Sequence, residues 1–481
     1  MSNALNELCI SHFGEAPETI SVVKAHASYR SIYRLKHKNF TAIGVLYDGI
    51  AENRAFVSFA QHFSSLGLPV PKIYAVSADY RAYLQEDLGD VTLYDFYRKE
   101  GEHSFSQATE ELYEQVVDLL PKFQVEAGRT LDYGACYPTA QYGEQEMLWD
   151  IRYFYNAFLR RIGVAFNEES LQREAQRFVA PLATTTQPYF LYRDLQARNI
   201  MIHNGGPYFI DFQGGRRGPL QYDVATLIYH PKVAMPQEVR ERLLSRYQKA
   251  LAQYDADAAR IFFDTLPQFL LVQLFHRFGT YGKLGIGAGQ PYFLESIPRA
   301  LAMLREVLSR WPTLLEDFPE LKQIVTLILS DKRLSKSEEI MNVDAKLLKV
   351  TLGSFAYKNG LPQAAADSLS HGGFIFDCRS LTNPGREEAF QIRTGRDGDV
   401  VAYLENLPEV GDFYLHAKAL VVQTVKRYLE RGFTDLSVHF GCTGGQHRSV
   451  YMSERLQRDL IAEFPVAVTV THRELIAKGM L

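Results

Sequence analysis

Residues 192–215 read YRDLQARNIMIHNGGPYFIDFQGG. Asp194, Asn199 and Asp211 stand in that order, and the Asn204-Gly205-Gly206 run between them has the chemistry of a hairpin turn. Phosphoryl transfer from ATP needs a carboxylate to orient the acceptor hydroxyl, and hard oxygen ligands for the magnesium that bridges the leaving phosphates. A hairpin with one Asp and one Asn just before it and one Asp just after it supplies that set from a compact unit. The roles that follow are Asp194 as catalytic base, with Asn199 and Asp211 on the metal. Any one of these residues alone reads more readily as a turn or cap residue. The spacing D-x4-N followed by an apolar strand ending in Asp is much rarer, and it favours the phosphoryl-transfer reading.

Working outward, the chain before this stretch reads first as strands, ISVVKA, SIYRLKH and FTAIGVLY. A helix follows in which Phe56, Phe59, Ala60 and Phe63 share a face and Gly67 ends it. From about residue 105 to 330 the pattern is mostly helical, interrupted by the β-like patch quoted above. The charged segment LSDKRLSKSEEIMNVDAK, residues 329 to 346, lacks the aromatic density on either side and reads as a linker, with a boundary near Lys346. Beyond it, strands GGFIFDC, LSVHF and VAVTVTH alternate with helices over 411–432 and 449–464, the pattern of an α/β layer with a mainly parallel sheet.

At 481 residues the chain is long enough for two or three domains, each with its own core. Apolar residues at 46%, charged residues at 22% and a formal net charge of −4 give no general pull towards nucleic acid or anionic lipid. Cys9, Cys136, Cys378 and Cys442 lack CxxC spacing, which argues against a structural zinc site or a disulfide framework and fits a reducing compartment. The start has neither the basic flank nor the apolar core of a signal peptide, and no apolar run approaches a membrane span. The expectation is a cytoplasmic protein with no membrane partner.

A second constellation is LSVHFGCTGGQHRSVYMSERL, residues 436–456, which reads as strand, glycine-bearing turn and helix N-terminus, a natural guest site for an anion. Cys442-x5-Arg448-Ser449 satisfies the loop of cysteine-dependent phosphatases. Against that activity, Gly441 replaces the histidine that usually precedes the nucleophile, and no general-acid loop can be picked out. A nucleotide cradle lacks its lysine and following hydroxyl residue. The third reading is a pocket that only binds a phosphate: Gly444 and Gly445 allow close backbone approach, Arg448 offers a forked donor set, and His447 adds charge as its proton occupancy changes. Cys442 is then a small buried residue at a strand end.

Residues 15–320 resemble the aminoglycoside and choline phosphotransferase family, relatives of the protein kinases, and most closely the AmgK-type anomeric amino-sugar kinases. The resemblance rests on the catalytic stretch and on HASYRSIYRL, IAENRAFVSFAQHFSSLGLPVPKIYAV, YLQEDLG and DFQGGRRGPLQYDVATLIY. It implies an α+β bilobal kinase-like domain over residues 1–330, with a β-rich small lobe to about residue 88 and a helical large lobe from 89. A linker at 331–346 and a separate α/β domain at 347–481 complete the expected organisation. It further implies that backbone groups at Gln85, Glu86, Asp87 and Leu88 hold adenine and that Ser28 and Arg30 lie near the phosphates. Asp223 would brace the catalytic loop, with Glu52 and Arg198 in support; Glu52 reads equally as a first-turn residue favoured by the helix dipole.

The chain departs from the kinase pattern twice. NFTAIGVLYDG has no lysine, so another cation such as Arg30 or Arg34 must neutralise the α- and β-phosphates. Tyr192 stands where a histidine is usual, a packing and hydrogen-bonding position that leaves activity intact. MLWDIRYFYNAFLRRIGV lies where this class receives its acceptor, although an aromatic stripe at helical spacing is more often core. Arg152 and Arg216 are candidates there for an acidic acceptor.

Residues 350–475 resemble the C-terminal domain of RapZ, an adaptor family that binds small RNAs and senses an amino-sugar phosphate. TLGSFAYKNGLP, GGFIFDCRSLTNP, IRTGRDGDVVAYLE, GCTGGQHRSVYMSERL and VTVTHREL carry the likeness. It implies that Thr443, Gly444, Gly445, His447 and Arg448 grip a phosphate, with Asp377, Arg379 and Asn383 completing a pocket for the sugar. Residue 385 is glycine where the family has histidine, and Arg386 is a substitute. Residues 347–481 hold 15 Lys plus Arg against 15 Asp plus Glu, which speaks against strong RNA binding.

Together the resemblances imply an ATP- and Mg2+-dependent kinase for a small amino sugar, such as N-acetylmuramate or N-acetylglucosamine, in cell-wall recycling. Its second domain would bind a sugar phosphate for regulation or relay. The alternative is a nucleotide-binding regulatory adaptor that binds RNA or protein, and behind it stands a Cys442-dependent phosphatase. Relatives of the second domain assemble, so a homo-oligomer is an expected state.

Overall fold

The structure is a computed structural model that describes residues 2–23, 30–99, 105–183, 189–335, 348–361, 373–431, 433–464 and 466–480. Their contacts group into two compact units. The first is built from residues 1–151, 166–275 and 298–330, and the second from 152–165, 276–297 and 331–481. Residues 152–165 and 276–297, which the sequence assigns to the kinase-like domain, thus group with the C-terminal sheet. Of the expected linker, residues 336–346 lie outside the described residues, and Lys332–Ser335 forms a short 3-10 turn.

The first unit has a protein-kinase-like fold, with a β-rich part and a helical part. An antiparallel sheet has the order β1-β2-β3-β5-β4, made of β1 (Thr19–Val23), β2 (Ser31–His37), β3 (Phe40–Leu46), β4 (Ile73–Val76) and β5 (Ala82–Glu86). Helix α2 (Ile50–Ser65) buries Phe56, Phe59, Ala60 and Phe63, the face its spacing predicts. Gly67, at φ +70°, ends it by supplying the left-handed conformation that a side chain resists.

A helix that the sequence reading did not anticipate, α1 (Ser2–Phe13), covers the sheet: Leu5 and Cys9 are buried against Leu35, Ala82 and Leu84. Gly44 makes room for it, because a Cβ at that position of β3 would lie 2.9 Å from Leu5 Cδ2. Burial among these apolar groups pushes the Cys9 thiol up to about 11.

The helical part carries two small antiparallel pairs, β6 (Phe190–Leu191) with β9 (Arg216–Arg217), and β7 (Ile200–His203) with β8 (Gly206–Phe209). His203 pairs with Gly206, so Asn204 and Gly205 form the turn, both at positive φ as a two-residue hairpin demands. An aromatic cluster sits behind this hairpin. Phe212 stacks on Phe56 of α2 at 4.8 Å, meets Phe63 edge-on at 5.4 Å and faces Tyr192 at 6.0 Å. Residues that flank the candidate catalytic groups are therefore core residues, and this fixes the loops that carry them.

In the second unit a four-stranded, all-parallel sheet has the order β11-β12-β10-β13, with β10 (Leu348–Ala356), β11 (Gly373–Asp377), β12 (Asp435–Cys442) and β13 (Val466–His472). Three strands match the expected alternation; β10, at the centre, was read only as a motif. Its Gly353 masks the strand pattern, and the reason is His439 of β12, whose Nδ1 would lie 2.3 Å from a Cβ there. Helices Gly398–Glu405, Pro408–Arg431 and Arg448–Glu463 supply Val400, Val421, Met452 and Leu456 to a core with Val350, Leu352, Val438 and Phe440.

Candidate functional site

The catalytic loop is built on Asp223, which is fully buried. Its carboxylate accepts the backbone N–H of Tyr192 at 2.8 Å and of Arg193 at 3.0 Å, and the Gln124 side-chain amide at 3.1 Å. Gln124 is held in turn by the Tyr247 hydroxyl at 2.6 Å. Burial pushes the Asp223 carboxyl up to about 7 against the pull of these donors. Asp223 thus makes three hydrogen bonds, two of them to the peptides leading into Asp194. Tyr192, 1% exposed, donates its hydroxyl to the Ile210 carbonyl, so it ties the catalytic loop to the strand end that carries Asp211. A tyrosine can thus stand where histidine is usual.

Asp194 is exposed, and Gln196 donates to both its carboxylate oxygens at 2.9 Å. Asn199 donates its amide to the Asp194 carbonyl at 2.9 Å and to its carboxylate at 3.1 Å. Both amide hydrogens are spent inside the loop, which leaves the Asn199 Oδ1 as its ligand atom; the choice of nitrogen and oxygen follows from this bond network. Asp211 sits at φ +67°, a left-handed backbone that Asp tolerates better than most side chains, and accepts from Gln213 at 2.8 Å. Arg198 lies with its guanidinium 4.7 Å from the Tyr94 ring centre.

From the β-rich part, Arg30 reaches Glu52 of α2 at 3.2 Å and Asp211 at 3.5 Å. A cation joining a helix carboxylate to the metal-side Asp is the arrangement a strand lysine would otherwise provide. Arg34, the other candidate, is committed elsewhere. It grips Asp87 bidentately at 2.8 and 3.0 Å, the Gly89 carbonyl at 3.1 Å and Asp90 at 2.8 Å, so it braces the hinge and is not the phosphate cation. Ser28 lies outside the described residues.

At the hinge, Gln85 pairs with Ile43 in the sheet and keeps a buried, unpartnered Oε1. Glu86 accepts the Lys72 N–H at 3.2 Å, Asp87 is held by Arg34, and the Leu88 carbonyl meets His203 at 3.2 Å. The Glu86 N–H is given to the Lys72 carbonyl at 2.9 Å, so part of this segment's backbone is engaged as well as the Glu86 and Asp87 side chains.

Arg216 is corrected as an acceptor ligand. It is 8% exposed, and its guanidinium bonds the Gly214 carbonyl at 3.0 Å, Thr139 at 2.9 Å and the Tyr137 carbonyl at 3.4 Å. Arg152 is exposed. The stripe around it is core, with Met147, Ile151, Phe154 and Phe158 fully buried, while Trp149 is 45% exposed. Sequence reasoning missed Asp150, which is wholly buried and takes Arg193 bidentately at 3.0 and 3.1 Å. A charged residue inside an otherwise apolar helical stripe was the available signal.

In the second unit every proposed pocket residue lies at the carboxyl edge of the sheet, where open α/β sheets place ligands. Asp377 ends β11 opposite Gly441, and Ala356 ends β10 opposite Cys442. The loop differs from a free anion cradle in one respect: its charged groups are used internally. Arg448, 3% exposed, donates to the carbonyls of Leu381 at 2.7 Å and Arg379 at 3.1 Å and reaches Thr443 at 3.3 Å. His447 meets the Phe390 carbonyl at 2.8 Å, and burial holds its imidazole below the usual range against the pull of the Phe390 and Arg393 backbone. Arg379 closes on Asp377 at 2.6 Å, which holds that carboxyl low, and stacks over Tyr357 at 4.0 Å.

Asn383 caps the turn into Gly385 at 3.4 Å. Gly385 itself has a reason: a Cβ would sit 3.1 Å from the His447 ring. Gly445, at φ +66°, donates its N–H to Cys442 Sγ at 3.2 Å, and Ser449 Oγ lies 3.2 Å from the same sulfur. At 2% exposure this thiol is a buried anchor of the loop. Gly444 is half-buried with open space around it.

Comparison with known proteins agrees with both halves. Residues 48–262 match the phosphotransferase enzyme family, and residues 348–476 match the RapZ C-terminal domain. The chain therefore carries a phosphotransferase-family domain and a RapZ C-terminal domain. It is 36% identical over 138 residues to a nucleotide-binding protein of a Ruegeria species, 29% of this chain and 43% of that one. It is 40% identical over 131 residues to a nucleotide-binding protein of Cereibacter sphaeroides, 27% of this chain and 41% of that one. The chain thus spans about two fifths of the length of these curated relatives. Similar solved structures include a choline kinase from Cryptosporidium parvum, at 12% identity and TM-score 0.43 over 68% of this chain and 100% of that one. An ethanolamine kinase from Plasmodium vivax is 13% identical at TM-score 0.41, over 60% of this chain and 82% of that one.

Proposed function

We propose that the first unit transfers the γ-phosphoryl group of ATP to a hydroxyl of a small amino sugar of the N-acetylmuramate or N-acetylglucosamine class, and that the C-terminal domain binds a sugar phosphate. The observation that carries the reading is that Asn199 bonds Asp194 while Arg30 joins Glu52 to Asp211, the neighbour of Ile210, whose N–H is taken by the Asn199 carbonyl. Asp194 is exposed towards an arriving hydroxyl, and Gln196 and Asn199 hold its carboxylate so that it can accept the proton as the alcohol oxygen attacks phosphorus.

Asn199 and Asp211 offer only oxygen, which suits a magnesium ion that keeps waters and takes its other ligands from nucleotide phosphates. When bound, that ion would neutralise charge on the leaving diphosphate. Arg30, already oriented by Glu52, adds the fixed positive charge that the strand lysine would supply. The acceptor class rests on the sequence resemblance of the first domain to amino-sugar kinases and of the second to the RapZ family.

The test is ADP release from magnesium-ATP over a panel of amino sugars, followed by phosphorus NMR of the product to separate an anomeric phosphate from a 6-phosphate. Sugar-dependent turnover that vanishes in Asp194→Asn is the expected result. Turnover with no sugar of the panel would turn attention to the adaptor reading.

A further inference from the structure

The residue before the catalytic carboxylate is held more tightly than its exposed neighbour. Arg193 has φ +79°, a conformation that side-chain-bearing residues avoid and that persists only where the surroundings over-determine it. Its backbone N–H is taken by Asp223. Its guanidinium lies between two rings, 4.7 Å from the centre of Tyr142 and 4.9 Å from that of Tyr222, and bonds the Tyr222 hydroxyl. Both terminal nitrogens meet Asp150, which is 0% exposed and also accepts the Tyr142 hydroxyl at 2.6 Å. A fully desolvated carboxylate with a bidentate cation is weak evidence for stability but strong evidence for geometry, because neither partner can move without leaving the other unpaired.

We infer that Asp150 is a positioning residue for phosphoryl transfer: through the bidentate grip on Arg193 it holds the left-handed peptide that aims Asp194. This rests on the reading of Asp194 as the catalytic base. The pair comes from two distant parts of the chain, the helix Glu144–Phe154 and the catalytic loop, so the aim of Asp194 depends on a group that touches neither substrate nor nucleotide. Lysine at 193 would keep the charge but cannot form the two parallel bonds.

The test uses the full chain with Asp150→Asn, Arg193→Lys and the double variant. Turnover is measured per nucleotide-binding site counted by calorimetry, and deuterium uptake is followed in the 192–199 peptide. The expected result is a fall in kcat of about 100-fold in each single variant, since a catalytic group displaced by about 1 Å loses that much. KM for both substrates should stay unchanged, uptake over 192–199 should rise, and the double variant should be no worse than the singles because the two residues act as one device. Should Asp150→Asn fail to fold, Arg193→Lys, which leaves no buried charge without a counter-charge, carries the same comparison.

Unchanged kcat and unchanged uptake in the folded variants would overturn the inference, as would losses that simply multiply in the double variant. If the wild type turns over no acceptor, the phosphotransfer reading fails separately. Uptake over 192–199 then decides alone whether Asp150 holds the loop.

Discussion

The two candidate sites treat their charged groups in opposite ways. In the first unit Asp194 is exposed, the Asn199 amide oxygen is left over, and Arg30 stands between two carboxylates at 3.2 and 3.5 Å. In the second unit Arg448 is buried on carbonyls, His447 lies against the Phe390 carbonyl, and Arg379 pairs with Asp377. The first arrangement keeps polar capacity directed at an incoming group, as a site that stabilises developing charge must. The second engages most of these groups within the loop, but the buried Arg448 Nε has no partner there, so a ligand must be held by that N–H, by loop backbone and rim, or must displace internal bonds. Motifs of similar sequence specificity therefore carry different chemical readiness, and only the partners of each side chain reveal it.

The strongest way to break this contrast is to remove one group from each site. Asp194→Asn is expected to lower sugar-stimulated ADP release by about 1,000-fold, within the range for a lost general base, while Cys442→Ser leaves it untouched. An equal loss in both variants would end the contrast. Arg30→Met comes next, with an expected loss of about 100-fold in kcat/KM for ATP in the same assay. Arg34→Met should instead act through hinge stability, read as a lower melting temperature with little change per active site.

A smaller effect separates backbone approach from ordinary packing. Gly395→Ala places a Cβ 2.1 Å from the His447 carbonyl and should destabilise the second unit by about 1–3 kcal/mol in denaturant unfolding. Gly411→Ala, with open space around it in the helix Pro408–Arg431, is the control and should stabilise slightly.

The smallest expected effect is a difference in pH response. Burial raises Asp223 to about 7, so the folded first unit binds a proton the unfolded chain releases near 4, and its stability falls as pH rises through that window. Burial lowers His439 and His447, so the folded second unit refuses protons that the unfolded chain takes below about 6.5, and its stability falls as pH drops there. Deuterium uptake at pH 5 and pH 7.5 should shift oppositely in core peptides of the two units. Parallel shifts would show that these groups do not dominate.

Much of this was legible from residues close together in the chain. The hairpin at Asn204-Gly205 and the apolar face of α2 were open to reading because turn chemistry and helical periodicity are local. The contact of Asn199 with Asp194 could be anticipated because the two stand five residues apart in one loop. What escaped were features set by distant partners. β10 was hidden because Gly353 answers to His439 on another strand, and α1 because its docking depends on the gap at Gly44. Asp150 makes sense only beside Arg193, and the commitments of Arg34, Arg216 and Arg448 are invisible in a motif, which names a residue type but not its bonds. Ser28 lies outside the described residues.

The placement of Trp149 has a practical side. The chain has only two tryptophans, and this one sits on the helix that supplies Asp150, nearly half open to water. An indole poised between solvent and an apolar stripe changes its emission colour and quantum yield when its hydration changes. A titration in a fluorimeter can therefore register a change at this helix without any turnover being observed.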